Sequence, residues 1–392
     1  MVKFAHISDV HLGGWKQGPM QELNFASFKK SFEICIEKKV EFVLIAGDLF
    51  DTAYPPIEIL KETFAEFRKL YNAKIPCFII AGSHDYSVSG KTFLDVLEKA
   101  GFCTNVTSFY SDEISEERND KIILSPIIYK NVAIYGYPGK KSGLEIPDLR
   151  RVKLIDAPGM FKILMLHTTM DKAKGTLPID AFECDCAPKA DYYALGHLHI
   201  DWQYENFVYP GPVFPNNFQE LRDLQHGSFY IVDTESNNSL EKIELKIKDV
   251  EYLEIEVKNS TTATEKIISE IEKRNVADKV ILLKVRGELE TGKTSDIKFS
   301  QIEEILKQKG AYFLLKNTHD LQTKEIELEV EIKNDENIEG ETIKAYSEDN
   351  PSDFNELIPQ LMHSLTTEKQ EGETSESFSN RLMDEARKVM GF

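Results

Sequence analysis

Six near-continuous apolar runs in the first half of the chain constrain its fold more than any other feature. They are Lys3–Ser8, Glu41–Ala46, Cys77–Ala81, Val132–Tyr137, Lys162–Leu166 and Tyr192–Leu195. Each has the length of a strand. Successive side chains of a strand point to opposite faces, so an unbroken apolar run needs cover on both. Between the runs, Asn24–Lys38 and Pro56–Leu70 carry apolar residues at helical spacing. The alternation predicts an α/β fold in layers. Five of the six runs lead directly into a short polar motif: SDVHLG at 8–13, AGDLFD at 46–51, AGSHD at 81–85, LHTT at 166–169 and GHLH at 196–199. In an open α/β sheet, whatever follows the carboxyl ends of the strands gathers at one edge. Five segments distant in sequence therefore deliver their side chains to one place. Five of the nine histidines (His11, His84, His167, His197 and His199) fall in these motifs.

The residue types point to metal chemistry. Asp9 and His11 are spaced to reach one ion from one strand end. Asp48 follows a strand and a glycine, where its carboxylate can bridge two ions. His197 and His199, as alternate residues of an extended segment, face the same way. Mixed carboxylate and imidazole donors suit manganese, iron or zinc better than calcium. Two such ions ~3.5–4 Å apart clamp the attacking and leaving oxygens of an in-line displacement. A lone D-x-H or H-x-H is commonplace in structural roles. Five such motifs in register with strand ends point instead to a dinuclear phosphoesterase.

The longer strings FAHISDVHLG, FVLIAGDLFDTAYPP, AGSHD and YYALGHLH resemble the calcineurin-like metallophosphoesterases. Within them the resemblance is to the Mre/SbcD-type DNA double-strand-break repair nucleases. It covers essentially the whole chain, strongly in the first 215 residues and more weakly beyond. It implies a four-layer αββα sandwich with a small α+β capping domain and C-terminal helices. It also implies two divalent ions, manganese by preference, serving exonuclease and single-strand endonuclease activity on damaged DNA. Asp9, His11, Asp48 and His199 would hold the first ion, and Asp48, Ser83, His167 and His197 the second. His84 would stabilise the transition state or protonate the leaving oxygen. The implied partners are DNA, a second copy of the chain through helices of the first domain, and an SMC-like coiled-coil ATPase (SbcC-type) through the C-terminal helices. Two positions depart from the commonest pattern. Ser83 stands where most relatives carry Asn, which puts the strength of the second ion site in question. Asp51, the second catalytic candidate beside His84, stands where many carry His, and an ionised carboxylate cannot donate a proton. Two other readings stay open on sequence alone: a metallophosphoesterase for a nucleotide or small phosphodiester, and a DNA- or ATPase-binding scaffold with an impaired second site.

The expected organisation is a phosphoesterase domain over 1–245, a capping domain over 246–333, an acidic linker over 334–350 and a partner-binding helical segment over 351–392. In that last segment Phe354, Leu357, Ile358, Leu361, Met362 and Leu365 form one apolar stripe, and Phe378, Leu382, Ala386 and Val389 another. Pro359 kinks the first or marks its start. The net charge of −19 disfavours DNA binding by the body of the chain alone. About half of it lies in 335–392, where 14 Asp and Glu face 5 Lys and Arg. The best basic cluster is Lys140, Lys141, Arg150, Arg151 and Lys153, read either as a phosphate contact or as a solvated face. GELETGKT at 287–294 matches a phosphate-loop pattern, but Glu288 and Glu290 and the late start of the next apolar stripe argue for a simple turn. The five scattered cysteines form no disulfide framework. With neither a leader pattern nor an apolar span, the expectation is a soluble, intracellular and cytoplasmic (nucleoid-associated) protein.

Overall fold

The computed structural model describes residues 2–86, 92–107, 109–110, 121–176, 178–234 and 239–323, and beyond these 343–344, 347, 352, 354–365 and 375–390. Two six-stranded sheets organise the first part. In one, Lys3–Ile7, Phe42–Ala46, Cys77–Ile80 and Thr104–Asn105 run parallel, and Gly227–Asp233 and Ser239–Leu245 extend the other edge antiparallel. In the other, Val132–Tyr137, Phe161–His167, Tyr192–Gly196 and Phe207–Pro210 run parallel, edged by antiparallel Ile127–Tyr129 and Asp201–Tyr204.

The period of two along each strand builds the layers. Phe4, Phe42, Leu44, Phe78 and Ile80 of the first sheet meet Ile134, Ile163, Met165, Tyr192 and Val208 of the second in one buried core. The intervening residues Ala5, Ile7, Val43, Ile45 and Ile79 face helices Gly18–Glu37 and Ile57–Asn72 through Phe28, Phe32, Phe67 and Leu70. On the outer face of the second sheet, Tyr135, Leu164, Leu166 and Leu195 are covered by Ile146, Leu149 and Val152, from the short helix Ile146–Leu149 and the strand after it. The result is helix, sheet, sheet, helix. Each fully buried Phe or Leu contributes about 1.5–3 kcal/mol to holding it together.

All six runs are strands within a residue at each end. The first helix starts at Gly18 rather than Asn24, because Pro19 sits in its first turn, where a missing N–H is harmless.

Residues 1–322 form one compact unit and 323–392 a second. Inside the first unit, Val250–Glu256, Val280–Leu289, Phe313–Asn317 and Leu321–Thr323 make a separate four-stranded sheet. Helices Ser260–Glu272 and Phe299–Gln308 pack on one face of it through Ile267, Ile271, Ile302 and Leu306. On the other face Val280, Leu282 and Leu315 pack against Trp15, Met20, Leu23, Phe214 and Leu221. GELETGKT is the end of a strand and a turn. Lys293 caps only the three-residue 3-10 turn Thr294–Asp296, and the next α-helix begins at Phe299, so no α-helix starts at Lys293 to cradle a phosphate.

In the second unit, Ile358–Leu365 and Ser375–Met390 are helices in mutual contact, and Pro359 occupies the start of the first. The proposed linker, 334–350, lies almost wholly outside the described residues. Among the described residues no helix is long and apolar enough to cross a membrane.

Candidate metal centre

Sharp backbone reversals at the strand ends build the centre. Asp9, His11 and Asp48 have φ of +50°, +47° and +51°, and His197 has +97°. Side chains other than glycine adopt this region rarely, and such strain gathers where a site must be over-determined. Glycines make the approach possible. A Cβ on Gly47, itself at φ +90°, would lie 2.2 Å from His167 Nδ1, and one on Gly196 would lie 2.0 Å from the carbonyl oxygen of Ala46.

Asp9, His11, Asp48 and His167 are at most 2% exposed. Three imidazoles are oriented in the same sense. His167 Nδ1 donates to the Ala46 carbonyl at 2.9 Å, and His199 Nδ1 to Glu220 Oε1 at 3.0 Å. His11 Nδ1 donates to Asp51 Oδ1 at 3.2 Å, and that hydrogen bond from His11 holds the Asp51 carboxyl below its ordinary range. With each Nδ1 carrying its hydrogen outward, each ring in its neutral, ligating form turns an Nε2 lone pair inward. These lone pairs converge. His11 Nε2 and His199 Nε2 are 3.0 Å apart, His11 Nε2 is 3.6 Å and His167 Nε2 3.2 Å from Asp48 Oδ2, and His199 Nε2 is 3.8 Å from Asp9 Oδ1.

This arrangement fits divalent cations. Two imidazole lone pairs pointed at each other repel unless a positive centre lies between them. Among the described residues His167 Nε2 is buried without a well-aligned hydrogen-bond partner, although Asp48 Oδ2 lies 3.2 Å away, and an unsatisfied buried group costs about 1–3 kcal/mol. Ligand atoms of Asp9, His11 and His199 lie within 4.8 Å of one another, as do those of Asp9, Asp48 and His167, and those of His11, Asp48 and His84. Burial alone disfavours charge on His167, yet Asp48 and Asp9 outweigh it and push its pKa up to about 10, so with no cation bound Nε2 carries a proton, which a cation would displace on binding. Burial likewise opposes the Asp48 carboxylate, and His167, His11 and the His84 N–H together overcome it and hold its pKa well down. His197 is pushed down to about 4 by burial and by His167, which keeps it neutral, as a ligand must be.

The remaining candidates lie at the margin. The His197 N–H donates to Asp9 Oδ1 at 2.9 Å, and its ring stacks edgewise on His167. Ser83 Oγ reaches Asp48 Oδ2 at 3.5 Å, a long contact. His84 is half exposed. Its N–H donates to Asp48 Oδ1 at 2.8 Å and its Nδ1 to the Asp51 carbonyl at 2.9 Å, which leaves Nε2 as the ring nitrogen free to exchange a proton. His84, Asp51, Ser83, His197 and Lys141 line an open groove beside the centre.

Three residues of the site were not read from sequence. Asp85 is buried and accepts N–H groups from Gly82, Phe50 and Leu49, which ties the second and third motif loops together. Burial and the nearby Asp48 push its pKa up to about 6. Glu220 orients His199. Glu145, also buried, accepts from Thr168 Oγ1 at 2.8 Å beside His167. The only hints in the sequence were the last letter of AGSHD for Asp85 and the N-cap pattern Asn217-x-x-Glu220. In the basic cluster, Lys140 and Arg151 pair with Asp148 and Arg150 with Glu183 and Asp180, as expected of a solvated face. His6 is fully buried and bonded to Tyr192 Oη and the Leu195 carbonyl, as a core histidine. All five cysteines are free thiols.

Residues 2–201 match the sequence profile of the calcineurin-like phosphoesterases. The chain belongs to that family. The DNA double-strand break repair protein Mre11 of Archaeoglobus fulgidus is 28% identical over 317 residues, covering 73% of this chain and 68% of that protein. Its namesake from Methanocaldococcus jannaschii is 27% identical over 284 residues, covering 67% and 72%. The uncharacterized metallophosphoesterase YhaO of Bacillus subtilis is 27% identical over 248 residues, covering 58% and 56%. Against YhaO and the Mre11 of Methanosarcina mazei, the chain spans only about half the relative's length.

Proposed function

We propose that this family member is a manganese-dependent DNA nuclease of the double-strand-break repair type, holding two ions and working with an SMC-like coiled-coil ATPase. The observation that carries the chemical half is the inward convergence of the His11, His167 and His199 Nε2 atoms on Asp9 and Asp48 beside an open groove. The DNA half is supported by the names of the archaeal relatives, which match across two thirds or more of this chain.

In this reading Asp9, His11, Asp48 and His199 hold one ion, and Asp48, Ser83, His167 and His197 the other, with Asp48 shared. When bound, two such ions supply Lewis acidity toward phosphoryl oxygens and acidify water near neutral pH. The protein's own part is positional. The buried Asp48 carboxylate stays ionised among imidazoles. The outward Nδ1 hydrogen bonds fix each ligating tautomer. His84, anchored by its N–H and Nδ1 at the rim of the groove, presents Nε2 to an incoming phosphodiester, where a protonated ring donates to the developing negative charge or to the leaving oxygen. Asp51, ionised and bonded to His11, orients that ligand and cannot serve as the acid. Three of the five basic residues of the cluster, Lys140, Arg150 and Arg151, pair with carboxylates, so attraction for DNA rests on Lys141 at the groove, the bound ions and the partner. A homodimer belongs to the same proposal.

The test is manganese-dependent cleavage of end-labelled DNA by the purified chain, with His84→Gln alongside and metal content measured for both. The expected result is cleavage by the wild type, a loss of about 10²–10⁴-fold in the variant, and two ions per chain in each. Two ions without DNA cleavage, but with hydrolysis of a small phosphodiester, would move the substrate class. Fewer than two ions in the wild type would point to the long Ser83 contact and to a scaffold.

A further inference from the structure

We infer that Glu220 is a positioning residue for the metal centre and that it transmits the grip of the four-stranded sheet at 250–323 to His199. This deepens the metal-site reading above and rests on it.

Glu220 lies in the first turn of the short helix Phe218–Leu224. Its N–H donates to Asn217 Oδ1 at 2.9 Å, and its Oε2 accepts the Asn216 N–H at 2.8 Å, so the carboxylate is pinned from its own helix start. Oε1 takes the Asn217 amide and, at 3.0 Å, His199 Nδ1. Three donors thus converge on one carboxylate whose side chain is 19% exposed. The consequence for His199 is chemical. A carboxylate at Nδ1 fixes the tautomer with its lone pair on Nε2, which faces His11 Nε2 and Asp9. A carboxylate behind a ligating imidazole also raises its basicity.

The helix is held from the opposite side. Leu221 is buried with Val280, Leu282 and Leu315 of the four-stranded sheet, and Phe218 packs on the same cluster. The Arg222 guanidinium lies 5.8 Å over the ring of Tyr252, in the first strand of that sheet. Trp15, four residues beyond His11, joins the same apolar cluster, and its Nε1 donates to the Pro215 carbonyl at 3.0 Å. Two ligands, His11 and His199, are therefore reached from this sheet through Trp15 and Glu220.

The test measures manganese binding by titration calorimetry on the full chain for wild type, Glu220→Ala, Glu220→Gln and Asn217→Ala, with the melting temperature of each apo protein. Asn217→Ala removes the helix cap and one of the donors to the carboxylate but leaves that carboxylate behind His199, so it separates anchoring of the helix start from the contact with His199. The expected pattern is a 10–100-fold loss of affinity at one site in Glu220→Ala. Glu220→Gln falls between, because its single oxygen cannot serve all three donors. Asn217→Ala melts lower but binds as the wild type does. Equal losses in Asn217→Ala and Glu220→Ala would make Glu220 merely a helix cap. Unchanged affinity in Glu220→Ala would overturn the positioning role outright. A wild type that binds no manganese would instead defeat the metal-site reading, which separates the two failures.

Discussion

At the scale of single residues, His6 is the most direct electrostatic test of the core. Its ring is buried between the sheets against Tyr192, and burial lowers its pKa from the ordinary 6.5 to about 3. The unfolded chain therefore accepts a proton below pH 6.5 that the folded chain refuses until about pH 3. Because the unfolded state binds more protons in that window, stability rises with pH across it and falls on acidification. The slope from this one group approaches about 1.4 kcal/mol per pH unit. Above pH 6.5 its contribution is complete and flat. In His6→Gln, which keeps a polar partner for Tyr192 and loses the titration, the urea midpoint should fall less steeply than the wild type between pH 6.5 and 4. Parallel slopes would mean that His6 is protonated in the folded protein.

At the scale of elements, the loops that follow strands carry both chemistry and stability, and Asp85 joins the two. Its carboxylate receives N–H groups from Leu49 and Phe50 of one loop and Gly82 of another. In Asp85→Asn, one acceptor oxygen becomes an NH₂ group facing backbone donors. The expected loss is about 1–3 kcal/mol, read as a lower guanidinium midpoint at unchanged m-value. A smaller change would mean that the loops hold their shape without the clamp. Asp85 also marks the limit of what sequence pattern reveals. The parallel strands were legible because burial on both faces leaves an unbroken apolar run, as in Phe42–Ala46. The antiparallel edge Ser239–Leu245 was not. One of its faces meets solvent, so SLEKIEL mixes polar and apolar residues and resembles a helix as much as a strand. The gathering of Asp9, His11, Asp48, His84, His167 and His199 was legible for a topological reason: parallel strands bring their carboxyl ends to one edge. Glu145 comes from a segment with no motif, and Glu220 from one that carries only a helix-capping pattern. Their roles depend on packing between elements, which local spacing does not encode. The left-handed backbone at Asp9, His11 and Asp48 was equally hidden, since nothing about Asp or His at those positions demands it.

At the scale of the whole molecule, the acidic balance and the C-terminal helices raise one question. A chain with net charge −19, in which three of the five residues of the basic cluster sit in ion pairs, has little long-range attraction for a polyanion. On the proposed reading, the partner ATPase makes up the difference. Helices Ile358–Leu365 and Ser375–Met390 are short, and isolated helices of this length are marginal in water without a surface to bury against. Phe354, Leu365 and Met383 are each more than half exposed, although the apolar stripes to which they belong or lie adjacent are those of core-facing helices. A coiled-coil partner that covers these stripes would order the helices and bring basic surface to an acidic tail. Deleting residues 351–392 should therefore abolish co-elution with the ATPase on size exclusion, while manganese-dependent cleavage by the isolated chain stays within about twofold, because every ligand and Glu220 lie in residues 1–322. The sign of the salt dependence separates a charged from a purely apolar docking surface. If charge contributes to docking, binding should weaken as ionic strength rises past the ~8–10 Å screening length at 0.1–0.15 M. If only the apolar stripes dock, it should hold or strengthen. Co-elution that survives the deletion would move the docking surface into the first unit and leave the exposed stripes without a role.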